Sequence, residues 1–206
     1  MRVAPNIGDR ELVIAVHEAG HAVACVKLGV PFSSVSIDLA GTGLGAGVAS
    51  EVHLFPSAEV RDEEPARREG DADLAHLLAA YVRRCREQVI VCFAGRAAEE
   101  RAARLGLTSG VGVDSDLKDL RDARYFLREL LGAEDALRRQ VDHHKTDVSW
   151  SLERLPARLV AEMVRLKDEA ENLVAGHFQC IPAIARTLVT KKRMTRDQVA
   201  QQVRAN

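Results

Sequence analysis

From Arg10 to Leu28 apolar residues return at helical spacing, with Asp9 placed to cap the start and Gly29 and Pro31 to end the run. Beyond Pro31 the period drops to two. Val35, Ile37 and Leu39 alternate with Ser34, Ser36 and Asp38, and Val48, Val52 and Leu54 resume a weaker alternation after the glycine-rich "GTGLGAG". The pattern predicts a β-hairpin about that stretch. Residues 56–71, "PSAEVRDEEPARREGD", carry charge and two prolines without apolar periodicity, and read as an exposed loop. A long helix is predicted over 72–104, turning Leu74, Leu77, Leu78, Val82, Val89, Ile90 and Phe93 inward and stopped by Gly106. The next helix is capped by Asp114 or Ser115. Its expected buried face is Leu117, Leu120, Ala123, Leu127 and Leu130, with Asp116 in the first turn. Further helices are expected over 134–144, 151–175, 181–191 and 196–204, the last opened by a capping box from Thr195 to Gln198.

Composition agrees with a mainly α fold. Of 206 residues 47% are hydrophobic but only 4% aromatic, so the core must come from aliphatic helix faces. The length suits one domain. A formal net charge of −1 gives no electrostatic case for nucleic acid or an anionic membrane as partner, and the short run Lys191, Lys192, Arg193 reads as a solvated helix end. Cys25, Cys85, Cys92 and Cys180 contain no C-x-x-C spacing and read as reduced packing residues of a cytoplasmic protein. The longest apolar stretch, Leu12 to Leu28, is interrupted by His17, Glu18, His21 and Lys27, and no membrane span or signal peptide is expected.

Those interruptions carry the chemistry. "VHEAGHAV", residues 16–23, holds H-E-x-x-H within the predicted first helix. Positions four apart differ by about 40° around a helix and about 6 Å along it, so His17 and His21 can address one metal ion with Glu18 on the adjoining flank. In that arrangement zinc acidifies a water molecule and the glutamate takes its proton as the water attacks a peptide carbonyl. Gly20, in a helix interior, costs about 1 kcal/mol relative to alanine, which makes sense where another group approaches the backbone closely. A catalytic zinc site needs a third protein ligand. Ala24 and Lys27 stand where the metzincin extension needs glycine and histidine, which excludes that class. Glu99 or Glu100 in "AGRAAEE" and Asp114 or Asp116 in "GVDSDLKDL" remain, and spacing favours Asp116 only weakly. Cys25 continues the row of His17 and His21, but three ligands from consecutive turns of one straight helix cannot converge tetrahedrally. His143 and His144 in "VDHHKTD" point about 100° apart on a helix and read as an exposed pair, and Arg83, Arg84 and Arg86 as a solvated face.

Three ordered motifs resemble one family, the peptidase domain of membrane-anchored AAA+ zinc proteases of the FtsH type. "VHEAGHAV" is similar to its zinc helix, "AGRAAEE" (94–100) to its G-G-R-x-A-E-E segment, and "TSGVGVDSDLKDLRDAR" (108–124) to its T-T-G-A-x-N-D-x-x-x-A-T-x-x-A-R segment. "SSVSIDLAGTGLGAG" and "LVTKKRMTRDQVAQQV" resemble its strand-to-turn and C-terminal helical regions, so the likeness runs through nearly the whole chain. The resemblance implies a zinc site of His17, His21 and Asp116 with Glu18 as base. It divides one domain, 1–206, into a catalytic core (1–132) and a C-terminal helical part (133–206). Departures include Ser115 in place of asparagine, Leu120 and Arg121 in place of the alanine-threonine pair, and Ala94 in place of a glycine. The glycines of "GTGLGAG" lack the lysine and hydroxyl pair of a phosphate loop.

The expected function is therefore zinc-dependent endopeptidase action on unfolded proteins or peptides without an ATPase of its own. An extended substrate would run along the hairpin edge at Val35, Ser36 and Ile37. A separate ATPase partner and, by resemblance, a six-membered homo-oligomer are the expected partners. The alternative is a catalytically silent peptidase fold serving as a binding or assembly module.

Overall fold

The computed structural model describes residues 7–38, 49–54, 71–111, 116–141 and 155–205. Helix α1 (Ile7–Leu28) ends where glycine permits it: Gly29 takes φ 74°, and the Val30 N–H donates back to the Cys25 carbonyl at 2.9 Å. Strand β1 (Phe32–Asp38) follows and pairs antiparallel with β2 (Ala49–Leu54), Val35 lying opposite Val52 and Ile37 opposite Ser50. The expected hairpin strands are present. The "GTGLGAG" turn, the 56–71 loop and His143 with His144 lie outside the described residues.

Helix α2 (Asp71–Arg104) is the axis of the molecule. From Gln88 to Gly95 every residue is buried, because α1 covers one side of α2 while two later helices cover the other. It stops at Gly106, φ 70°, with the Leu107 N–H reaching the Ala102 carbonyl at 2.9 Å. Helix α3 (Asp116–Val141) then runs straight through the break expected near residue 133. Gly132 has room for a side chain and an ordinary φ, and the buried repeat Ala123, Leu127, Leu130, Leu131, Ala133 passes it without interruption. The inward face differs from expectation at its start. Leu117 is 77% exposed and Leu120 37%, because the row that meets α2 is 119, 123, 127, 130, and 117 and 120 are turned away from it.

Helix α4 (Leu155–Gly176) packs on α2 and α3, tied by Arg86 to Glu169 at 2.5 Å and by Arg158 to Asp135 and Glu134 at 2.6 and 2.7 Å. A 3₁₀ turn (Phe178–Cys180) leads to α5 (Ile181–Lys191), whose C-cap, Lys192, holds φ 64°. The chain then lays down β3 (Arg193–Thr195) against the open side of β1 and enters α6 (Arg196–Arg204) through the expected capping box: Gln198 N–H donates to Thr195 Oγ1, and Thr195 N–H to Gln198 Oε1 at 2.9 Å. The sheet order is β2-β1-β3. The third strand was not foreseen; three residues next to a lysine-rich run carry too little alternation to register as a strand.

The fold is mainly α with a small antiparallel sheet. Two apolar clusters share α2. The first joins α1, β1, α5 and α6, with Ala94, Ala97 and Ala98 of α2 at its centre. The second joins α3 and α4 to Leu78, Tyr81, Val89 and Phe93 of α2. The division at 132/133 falls inside α3, and α5, β3 and α6 complete the core begun by α1 and β1. All four cysteines are free and buried, and no helix among the described residues is long and apolar enough to cross a membrane.

Candidate metal centre

The closeness of α1 and α2 follows from small residues. A Cβ on Gly20 would lie 2.6 Å from the Ala94 carbonyl oxygen and 2.7 Å from the Ala98 Cβ, so only glycine lets the helices cross at this distance. That accounts for the propensity cost noted in the sequence. Next to Ala94 on α2, a Cβ on Gly95 would stand 2.5 Å from His21 Nε2 and 2.7 Å from His17 Nε2. The bare backbone at Gly95 therefore forms the floor beneath both imidazoles.

Both histidines are buried, at 2% and 6% exposure. His21 Nδ1 lies 2.7 Å from the Val91 carbonyl oxygen, which can only accept, so Nδ1 carries a proton. His17 Nδ1 lies 2.7 Å from Glu99 Oε1, a charge-assisted contact somewhat off the line of an ideal ring N–H bond. With each far nitrogen engaged, the two Nε2 atoms face one another at 2.9 Å. This arrangement is typical of metal-ligating histidines, whose other nitrogen is held by a carbonyl or carboxylate.

The third group is Asp119. Its Oδ2 stands 2.9 Å from His17 Nε2 and 3.3 Å from His21 Nε2, and His17, His21 and Asp119 together form a cluster able to hold a metal ion. Asp116, expected in this role, contributes its backbone to the first turn of α3, while its side chain lies outside the described residues. Glu99, weighed as a ligand, sits instead on the far nitrogen of His17, and Cys25 packs in the apolar core away from the cluster. Asp119 escaped the sequence reading, yet a signal existed. It lies four residues before Ala123 and so continues the buried row Ala123, Leu127, Leu130 back to the helix start.

The donor set fits a zinc-sized ion. Asp119 Oδ2 is buried and lacks a well-aligned hydrogen bond, although two ring nitrogens crowd it. Tetrahedral zinc with bonds of about 2.0–2.1 Å places its ligand atoms about 3.3 Å apart, so the trio needs to spread by less than about half an ångström. Among the described residues no fourth donor closes the cluster. Without a cation, a proton must serve. Burial works against charge on His17, but contact with Asp119 and Glu99 outweighs it and lifts its pKa to about 10. Burial likewise opposes ionisation of Asp119, and His21 and His17 overcome it, holding the carboxyl well below its ordinary range. For His21 burial again opposes the charge and Asp119 favours it, with a net upward direction. The two rings and the carboxylate are close enough that their protons titrate as one coupled group.

Glu18 is also buried, at 3% exposure, and its charge favours protonation of both rings. Val35, Ser36 and Ile37 are placed differently from expectation. They lie in the central strand, with Val35 opposite both Val52 and Met194, and with the Ile37 N–H donating to the Lys192 carbonyl at 2.9 Å. Both sides of β1 are taken where a substrate chain was expected to pair, and the side chains of Val35 and Ile37 are buried. The edge strands of the described sheet are β2 and β3. Compared with models of known protein families and with curated protein sequences, the chain matches none.

Proposed function

We propose that the chain is a zinc-dependent metalloendopeptidase acting on unfolded protein or peptide, with His17, His21 and Asp119 as the metal ligands and Glu18 as the catalytic base. The observation that carries this reading is the convergence of two Nε2 atoms of H-E-x-x-H and one carboxylate oxygen at 2.9–3.3 Å, with both Nδ1 atoms held from behind. A zinc ion bound there would supply the Lewis acidity that polarises a scissile carbonyl and acidifies water. Glu18, next in sequence to His17, then takes the proton of the attacking water and passes it to the leaving amine. Val91 and Glu99 keep the imidazoles in the tautomer that points Nε2 inward, and Glu99 adds basicity to His17. The likeness of the motifs to FtsH-type peptidase domains supports the same reading. A separate ATPase delivering unfolded chains and a homo-oligomeric ring belong to this proposal on that resemblance alone, and a cytoplasmic location belongs to it on the unpaired cysteines.

The test is zinc content of the purified protein together with cleavage of an unfolded substrate, wild type against Glu18→Gln. The expected result is about one zinc per chain in both proteins, with chelator-sensitive cleavage in the wild type only. Full activity in Glu18→Gln overturns the mechanism. The burial of His17, Glu18 and His21 favours a second reading, in which the cluster braces a catalytically silent binding module. Bound zinc with no cleavage across a broad peptide library would select it.

A further inference from the structure

The outer face of α3 carries charge of one sign. Lys118, Arg121, Arg124 and Arg128 are all exposed. At about 100° per residue, Arg121, Arg124 and Arg128 fall within about 60° of one another around the helix. Leu117 shares their stripe, and Tyr125 stands on its flank, 52% exposed. Position 121 is about 160° from position 119, so this face looks away from the metal centre. It also differs from the other charged surfaces of the molecule. On α2 and α4 the cations come with acids: Arg83 with Glu87, Arg86 with Glu169, Arg96 with Glu100, Arg165 with Glu162. On the outer face of α3 the acids stand aside. Asp122 lies at its edge, 3.7 Å from Arg121, and Glu129 accepts from the Tyr81 hydroxyl at 2.8 Å. Lys118, Arg124 and Arg128 form no ion pair among the described residues. Like charges three and four apart on a helix repel, so the stripe costs stability until an anion meets it.

We propose that this face docks a short acidic segment of a partner protein, its carboxylates paired with Arg121, Arg124 and Arg128 and an apolar side chain laid on Leu117. The row of arginines is about 10 Å long, the span of three or four residues of extended chain. Guanidinium groups suit carboxylates, which they can grip through two N–H bonds at once. The rest of the chain favours a short partner over a bilayer or a nucleic acid. Without these four cations the net charge of −1 becomes −5, so a large polyanion is repelled wherever it extends beyond the stripe. Arg121 also stands at a position where the chain departs from the FtsH-type segment, so the stripe is not carried over by that resemblance. Docking here needs neither zinc nor cleavage.

Fluorescence anisotropy of a labelled peptide of alternating glutamate and leucine, titrated with the full chain, tests the assignment. The glutamate peptide should bind, and its glutamine counterpart should bind at least about tenfold more weakly. Raising salt from about 50 to about 500 mM should weaken the complex by about tenfold. The triple substitution Arg121→Gln, Arg124→Gln, Arg128→Gln changes only exposed positions, so circular dichroism and zinc content should match wild type. Its affinity for the glutamate peptide should fall by at least about tenfold. The double substitution Arg83→Gln, Arg165→Gln removes cations from α2 and α4 instead, and should leave affinity within about twofold of wild type. No binding of the glutamate peptide, equal binding of the glutamine peptide, or a triple variant that binds like wild type overturns the docking face. Vesicles of phosphatidylserine and phosphatidylcholine, or a polyuridylate strand, that bind more tightly than the peptide and lose that grip in the triple variant overturn the choice of an acidic protein segment.

Discussion

The two halves of the metal centre are held in opposite ways. His17 and His21 sit on a buried helix, packed over the bare backbone of Gly95 and fixed from behind by Val91 and Glu99. Asp119 stands in the first turns of a helix whose neighbouring residues, Leu117 and Leu120, face outward, and it keeps contact with an open cavity. One half is preorganised by close packing and the other can adjust. Ligands on a rigid element set the metal position, and a carboxylate at a less constrained helix end can follow the ion by the few tenths of an ångström that the fit requires.

The rigid half should fail most severely when its spacing is violated. Gly95→Ala drives a methyl group into contact distances of 2.5–2.7 Å with both Nε2 atoms, and the imidazoles it meets are held at their far nitrogens by Val91 and Glu99. Zinc affinity is expected to fall by at least about 100-fold, as for loss of a ligand, with a stability cost of about 1–3 kcal/mol from overpacking. Competition against a chromophoric chelator measures the first and denaturant unfolding the second. Affinity within about threefold of wild type would show that α1 and α2 can part freely, and the contrast between the halves would be lost.

The adjustable half is sharpened by a pair of substitutions. Asp119→Asn keeps the shape of the side chain and removes its charge, and should lower zinc affinity by about 10–100-fold or more, while Asp116→Asn should change it by less than about threefold. The reverse ranking would make Asp116 the ligand and Asp119 its neighbour. Zinc at about 100 times its dissociation constant should raise wild-type stability by about 2.7 kcal/mol, and at that same concentration most of this gain should vanish in Asp119→Asn.

The difference between the halves also explains what could be read from sequence. His17, Glu18 and His21 fall within five residues, so helix geometry alone brings them together, and Gly20 marked a close approach to the α1 backbone. The caps at Gly29, Gly106 and Thr195 were legible for the same reason, being local. Asp119 is about a hundred residues away from His17, and its place depends on how α3 rotates against α2. The apolar periodicity of α3 left that rotation ambiguous by one row, since Leu117 and Leu120 look as eligible for burial as position 119. The metal centre resolves the ambiguity, because a carboxylate on the inward row is tolerated where histidines meet it. For the sheet, a hairpin could be read but its neighbour could not. β3 is three residues long and separated from β1 by most of the chain, so the free side assigned to Val35, Ser36 and Ile37 was an artefact of seeing one partner of two.

Glu99→Gln probes the support behind the histidines with a smaller expected effect. The amide retains the volume of the carboxylate in a site of 1% exposure but no longer favours positive charge on His17, and its orientation toward Nδ1 can be either donor or acceptor. Zinc affinity should fall by about 10–100-fold, toward the lower end because His21 keeps its bond to Val91. Stability of the metal-free protein should change in the same direction, since a charged His17 loses one of the two carboxylates that favour its charge. By contrast Leu117→Ser, on the exposed side of α3, should leave both quantities nearly untouched, with stability within about 0.5 kcal/mol. If Leu117→Ser instead costs as much as Glu99→Gln, the first turns of α3 are packed against something, and the half of the centre described as adjustable is as firmly held as the other.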